Sequence, residues 1–209
     1  MTLSLGEVEA LATKAARGSG YDWGHAKLAG FAVRALYQNE CDGLQALLPL
    51  LDMGFGAALR EHLPGDLGAE WNGPNPLCPI GTGACFTDIA HRVRKEPISI
   101  VAMARPQLFL PFVAQVAKRA GVPLAANVDG TTISFDTEGG FDLCSLPDQA
   151  GSVLVEPTSK APPKSEFAKR ANPDKDTLKH AEEFAARTYA PATEESRRLG
   201  AGSNLSDND

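Results

Sequence analysis

Two glycines flank a threonine in the tripeptide Gly81-Thr82-Gly83, at the point where a helical pattern begins. We call this tripeptide the glycine triplet. Glycines at a helix start let backbone N–H groups approach an anion closely, and the helix dipole adds to the attraction. No Gly-Lys-Ser/Thr follows, and the full G-x-G-x-x-G pattern after a strand is absent, so this is not a nucleotide phosphate loop. The triplet therefore predicts either a small-anion site or a plain turn in which Thr82 caps the helix.

Asp88 and His91 form a second candidate, three residues apart on the same predicted helix. A carboxylate beside an imidazole can hold the ring in one tautomer, as a general base requires. Such a pair is more often a solvated contact between successive turns. Both interpretations, catalytic and structural, stay open.

The C-terminal segment carries groups that recognise or transform carboxylates: Tyr189, Glu194, Arg197 and Arg198. Either arginine could hold a substrate carboxylate through two parallel hydrogen bonds, and Glu194 could act as a base if it is buried. A short solvated helix over 193–199 explains the same composition. So does a segment that crosses onto a neighbouring subunit.

The segment Arg105-Pro106-Gln107 comes just after a predicted strand that ends at Met103. The carboxyl ends of strands in α/β sheets are common ligand sites, so Arg105 could receive an acidic ligand there. Capping of the next element is the structural alternative.

Composition limits the classes of function. The 209 residues contain 26 acidic and 20 basic side chains, for a net charge of −6. This balance argues against a dedicated binder of nucleic acid or anionic membranes, because both need a positive surface. Apolar stretches fall short of the roughly 20 residues of a membrane helix, and the N-terminus lacks a secretory signal. We therefore expect a cytoplasmic protein.

The four cysteines, Cys41, Cys78, Cys85 and Cys144, are not spaced as metal ligands. In a reducing cytosol we expect free, mostly buried thiols and no metal site. No pattern indicates a cofactor.

Helix signals dominate the N-terminal quarter. Ser4 and Glu7 form a capping box for a helix over 4–17. Asp22 caps a second helix to about residue 38, and a third covers 44–51. Residues 52–82 are rich in Gly, Pro and Asn, which predicts a long irregular stretch of a kind that is often functional.

A short central sheet follows a helix predicted over 80–94. Asp129-Gly130 between two alternating runs predicts a β-hairpin over 122–136. A helix from Pro111 to Ala120 precedes the hairpin, and shorter strands are expected at 141–144 and 151–156. The sequence thus predicts a mixed α/β fold with a helical N-terminal layer, a short sheet and a C-terminal helical arm.

We expect one domain over 1–156, a proline-rich linker over 157–164, and a helical arm with a polar tail over 165–209. Asn172 is the predicted N-cap of the arm helix, with Pro173 at its first position. Leu178, Ala181 and Phe184 give this helix an apolar stripe, which needs a cover. The chain's own core, a second copy or a partner enzyme would each supply one.

Three segments, 3–12, 104–112 and 188–202, resemble a family of bacterial, mainly proteobacterial, proteins whose domain has no assigned function. The resemblance implies no activity. A weaker likeness over 3–51, through Asp42-Gly43-Leu44, is to type-2 malate/lactate dehydrogenases. Those enzymes carry Ser-His-Gly just after the corresponding aspartate. This chain has no histidine there, so hydride transfer is not supported and no catalytic residue is carried over.

Two functions fit these patterns. The first is binding or transformation of a small acidic metabolite, and it predicts one cleft that unites the glycine triplet, Arg105 and the arginines of the tail. The second is a non-catalytic accessory or assembly subunit of a metabolic enzyme, which the apolar stripe of the arm helix favours.

Overall fold

A computed structural model describes residues 2–142, 145–160 and 166–189 of the chain. It confirms the mixed α/β fold. The helices are α1 (Leu5–Gly18), α2 (Trp23–Gln38), α3 (Gly43–Asp52), α4 (Pro79–Asp88), α5 (Leu110–Ala120) and α6 (Lys175–Ala186). The strands are β1 (Leu3–Ser4), β2 (Glu70–Trp71), β3 (Ile98–Ala104), β4 (Leu124–Val128), β5 (Thr131–Phe135), β6 (Gln149–Pro157) and β7 (Arg170–Ala171).

The N-terminal helices begin at the predicted caps. Ser4 Oγ accepts the Glu7 N–H at 3.2 Å while the Glu7 carboxylate accepts the Ser4 N–H at 2.7 Å. Asp22 accepts the His25 N–H at 2.9 Å at the start of α2. Helix α2 lies at the centre of the helical part, because it contacts α1, α3, α4 and α5.

The main sheet has five strands in the order β2-β3-β6-β4-β5. β2 pairs parallel to β3, and the other neighbours are antiparallel. The predicted hairpin forms between β4 and β5, with φ of 46° at Asp129 and 90° at Gly130. Helix α5 packs on β4 and β5, where the inward residues Ala126 and Ile133 are buried.

Two helix boundaries differ from the prediction. Helix α4 ends at Asp88 and not near Arg94, and turns follow it. The Arg92 guanidinium, beyond this end, donates to the Leu67 carbonyl in the preceding loop, a tertiary contact that a local helical pattern does not reveal.

Helix α6 begins after Asp174 and not after Asn172. The Asp174 carboxylate accepts the N–H groups of Asp176 and Thr177, both at 2.9 Å. Pro173 consequently lies outside the helix, because the residue with two acceptor bonds is the better cap.

The apolar stripe of α6 is covered within the same chain. Ala181, Phe184 and Ala185 are buried, and α6 contacts α1 and α3. Strand β7, just before α6, pairs with β1 through Leu3 and Ala171. The division into domain, linker and arm stays a prediction, and residues 161–165 of the linker lie outside the described residues.

Candidate functional site

A cavity of about 570 Å³ opens where the α2–α3 connection meets the end of β3. We call it the Arg105 cavity. Its wall combines polar and charged side chains with a smaller number of apolar ones. The described wall residues are Leu36, Glu40, Cys41, Asp42, Gln45, Ala46, Pro49, Arg105, Gln107, Ser145 and Leu146.

Asp42 is fixed on one side of this cavity. Its Oδ1 accepts the Tyr37 hydroxyl at 2.6 Å and the Gln45 N–H at 2.9 Å. The first bond ties Asp42 to the last turn of α2, and the second makes it the N-cap of α3. The aspartate that caps α3 is thereby also a cavity residue.

Arg105 belongs to the same wall, where β3 ends. Its backbone is left-handed, with φ of 45° and ψ of 58°, and its N–H donates to the Asp148 carbonyl at 2.7 Å. Its Nη1 donates to the Asp148 carboxylate. The Arg105 side chain is only 12% exposed, whereas that of Asp148 is 86% exposed. One solvated carboxylate thus holds a nearly buried guanidinium.

Two polar atoms of this region are buried without a hydrogen-bond partner in the described structure: the Nε of Arg105 and the Oε1 of Gln107. A buried donor or acceptor left unpaired costs about 1–3 kcal/mol. Both side chains belong to the cavity wall. Because the two atoms themselves lie beneath its surface, side-chain rotation is needed to bring them to a bound molecule.

Backbone strain is concentrated at the same place. Four non-glycine residues of the described chain have positive φ, and two of them, Glu40 and Arg105, are wall residues. Glu40 ends α2 in a conformation that glycine usually supplies. A left-handed residue other than glycine costs about 1–2 kcal/mol. Such strain clusters at ligand sites.

The wall thiol is not an ionised nucleophile. Burial raises the pKa of Cys41 to about 11, and the negative charges of Glu40 and Asp142 add to the effect. Burial and the hydrogen bond to Asp42 also raise the pKa of the nearby Tyr37. Both groups stay protonated at neutral pH, so these two side chains favour binding over nucleophilic chemistry.

The glycine triplet does not lie on this wall. Gly81, Thr82 and Gly83 are buried within the first turns of α4. A Cβ atom at Gly83 would lie 2.3 Å from the Phe112 ring, and one at Gly81 would lie 2.4 Å from Leu63 Cδ2. The predicted turn is thus a helix that begins earlier, at Pro79, and its glycines allow close packing.

Asp88 and His91 line a different cavity, of about 590 Å³. Asp88 is the last residue of α4 and His91 lies in the following turn, so the helical spacing between them is lost. Neither side chain bonds to the other. Because several cations share this wall, we call it the basic cavity; its residues are Thr87, Asp88, Ala90, His91, Arg94, Lys95, Arg119 and Ala120.

Tyr189 lies beside α1, where its hydroxyl accepts the Lys14 ammonium at 3.3 Å. It is absent from the described wall of the Arg105 cavity. Glu194, Arg197 and Arg198 fall outside the described residues. Among the candidates that the structure describes, Arg105 alone lines the Arg105 cavity.

Sequence reasoning did not identify Glu40 and Gln45 as wall residues. Gln107 belongs to the segment that the sequence singled out after the strand, although only Arg105 was given a role there. Within the described ranges, no three His, Cys, Asp or Glu side chains are grouped to hold a metal ion. No described helix combines the length and apolar character that crossing a membrane requires.

Residues 3–84 match a protein family whose description is "Protein of unknown function (DUF3726)". The likeness to a domain of unknown function is confirmed over this range, which includes the first of the three resembling segments. The range also contains Glu40, Cys41, Asp42 and Gln45 of the cavity, but not Arg105. No curated protein and no solved structure matches the chain.

Proposed function

We propose that this protein binds a small carboxylate metabolite at the Arg105 cavity, in the cytoplasm. One observation carries the proposal. A guanidinium that is 12% exposed lines a cavity, is held by a single exposed carboxylate, and leaves its Nε–H without an acceptor.

The chemistry of the guanidinium selects the ligand. Its planar set of donors matches two oxygens of a carboxylate, and this paired geometry is both strong and directional. Near burial strengthens the interaction further, because the surroundings screen charge less than bulk water does. Leu36, Ala46 and Pro49 supply an apolar wall for the carbon skeleton of the ligand.

Asp148 explains how the site can exist without a ligand. Its carboxylate bonds Nη1 of Arg105 and leaves the Nε unpaired. A ligand carboxylate that takes Nε and one Nη together makes two bonds in place of one. Rotation of Arg105 towards the cavity therefore gains a hydrogen bond and relieves the cost of the unpaired donor.

Binding is better supported than a reaction, because Cys41 and Tyr37 are held in their neutral forms. The accessory-subunit alternative drew on the uncovered stripe of the arm helix. Since α1 and α3 cover that stripe in the same chain, no observation now favours the alternative over a ligand site.

The test is a thermal-shift screen of small carboxylates with the full chain, followed by titration calorimetry of those that stabilise it. Arg105→Lys keeps the charge and removes the paired donors. We expect it to weaken binding about tenfold or more, the value of a hydrogen bond to a charged group. Arg94→Lys, in the basic cavity, is the matched control and leaves the affinity unchanged.

Two results contradict the proposal. The first is a screen in which no carboxylate raises the melting temperature. The second is an affinity that falls equally in Arg94→Lys and Arg105→Lys, which would show that the loss does not depend on this cavity.

A further inference from the structure

The wall of the Arg105 cavity is more negative than a site for a simple carboxylate should be. Arg105 is the one cation among its described residues, and Glu40 and Asp42 are both acidic. Negative charge near this wall also affects Cys41. Its pKa is raised first by burial and then by the charges of Glu40 and Asp142. Asp148 already offsets the charge of Arg105. A ligand with only negative charge would therefore enter a repulsive wall.

The two buried atoms without a hydrogen-bond partner differ in kind, so one needs an acceptor and the other needs a donor. Arg105 Nε is a donor that lacks an acceptor, and Gln107 Oε1 is an acceptor that lacks a donor. A carboxylate satisfies the first but not the second. Asp42 uses Oδ1 for Tyr37 and Gln45 and bonds no described residue through Oδ2. The wall thus offers more acceptors than a carboxylate can use.

Other ligand classes fit less well. A phosphate dianion would meet both acidic side chains with only one guanidinium to balance them. A divalent cation would meet Arg105, and the described residues include no group of three metal-binding side chains. A ligand that carries one carboxylate and one ammonium can pair its carboxylate with Arg105 and its ammonium with the acidic side chains.

We infer that the ligand is a small amino acid or a related zwitterion, with its carboxylate on Arg105 and its ammonium facing Glu40 and Asp42. This inference rests on the proposed carboxylate site and specifies what it accepts. The cationic group balances the negative charges of Glu40 and Asp42 on the wall. The apolar wall residues Leu36, Ala46 and Pro49 receive the side chain.

The test uses probes that share a carbon skeleton and differ at one group. Leucine, 2-hydroxyisocaproate, 4-methylpentanoate and 3-methylbutylamine form one such set. Alanine, lactate and propionate form a smaller set, and glutamate with 2-hydroxyglutarate a more acidic one. Each compound is titrated calorimetrically into the full chain at low salt, because screening weakens the contrast at high ionic strength.

We expect at least one amino acid to bind on the order of tenfold tighter than its hydroxy and deoxy partners, the contribution of one charge-assisted hydrogen bond. Glu40→Gln should lower the affinity for the amino acid and thereby remove most of that preference. Glu40 is exposed, so the variant should fold. Glu70→Gln, at a distant exposed glutamate, is the matched control.

The outcomes separate the two proposals. If hydroxy acids bind as tightly as amino acids and Arg105→Lys weakens both, the carboxylate site stands and the zwitterion inference is overturned. If the amine binds as well as leucine, the carboxylate half of the inference is wrong. If no compound binds, both proposals fall together.

Discussion

The Arg105 cavity and the basic cavity have nearly the same volume, about 570 and 590 Å³, and opposite chemistry. The first has one guanidinium, 12% exposed, among acidic neighbours. The second has His91, Arg94, Lys95 and Arg119, all exposed. The number of positive charges would favour the basic cavity as the anion site. The burial of the guanidinium and its unpaired hydrogen-bond donor favour the Arg105 cavity.

The position of the basic cavity explains its cations without a ligand. It lies where α4 and α5 end, and cations at helix C-termini are stabilised by the helix dipole. A Cβ atom added at Gly121, the residue that ends α5, would lie 3.9 Å from Nη2 of Arg94. Exposed charges are also well solvated and need no partner. The comparison teaches that an unpaired buried donor is more informative than a group of solvated ones.

The largest expected effect tests the premise that the glycines of α4 serve packing. Gly83→Ala places a methyl group against the Phe112 ring, which fills a wall of the core. We expect the free energy of unfolding to fall by about 2 kcal/mol, as overpacking does. Urea denaturation measures it. Gly6→Ala, where no atom lies within 4 Å of the new Cβ, should be neutral or stabilising.

The premise is contradicted if Gly83→Ala leaves the free energy of unfolding unchanged but alters the stabilisation by added phosphate. The glycine triplet would then again be a candidate anion site. The contrast between the two cavities would then leave out a third and better candidate.

The next effect concerns the thiols, because one lies on the Arg105 cavity and another near the basic one. Cys41 has its pKa raised to about 11, so its thiolate fraction and its alkylation by iodoacetamide should rise about tenfold per pH unit from pH 7 to 10. A bound carboxylate should slow the alkylation of Cys41 about tenfold at saturation. Peptide mass spectrometry separates this site from the other three cysteines.

Cys85 serves as the internal reference. Burial and the charge of Asp88 raise its pKa as well, so its alkylation should also increase with pH, but the carboxylate should leave it unchanged. Equal protection of both thiols would indicate a general stabilisation of the fold and not occupation of one cavity.

The difference between the cavities also shows what the sequence could and could not supply. The position of Arg105 just after a strand was predicted, because that position follows from local pattern alone. The capping box of Ser4 and Glu7 and the turn at Asp129-Gly130 were predicted for the same reason, since each depends on a few adjacent residues. Local chemistry specifies these features without reference to tertiary contacts.

The rest of the wall depends on packing that no short pattern encodes. Glu40 and Asp42 meet Arg105 because α2 occupies the centre of the helical part and brings its own end to the end of β3. More than sixty positions separate them in the chain. The sequence predicted a turn at the glycine triplet because local pattern does not show which residues pack against it. Phe112 is remote in the sequence, and Leu63 lies in a loop.

A smaller effect tests the competition between Asp148 and a ligand. Asp148→Asn removes the internal carboxylate that occupies Arg105 Nη1 and keeps the shape of the side chain. We expect carboxylate affinity to increase about threefold, a modest gain because Asp148 is mostly solvated. Calorimetry measures it. Asp88→Asn, in the basic cavity, should have no effect, and a loss of affinity in Asp148→Asn would make Asp148 part of the binding site.

The smallest expected effect is at the basic cavity itself. Inorganic phosphate should bind there only weakly, in the millimolar range or above, because exposed pairs contribute about 0–1 kcal/mol each. Its effect on the melting temperature should vanish in 0.5 M salt, where exposed charges are screened. Arg119→Gln should scarcely change it. If instead phosphate binds below millimolar concentration, resists salt and requires Arg94 and Arg119, then solvated cations at two helix ends do make a site, and burial is not what distinguishes the two cavities.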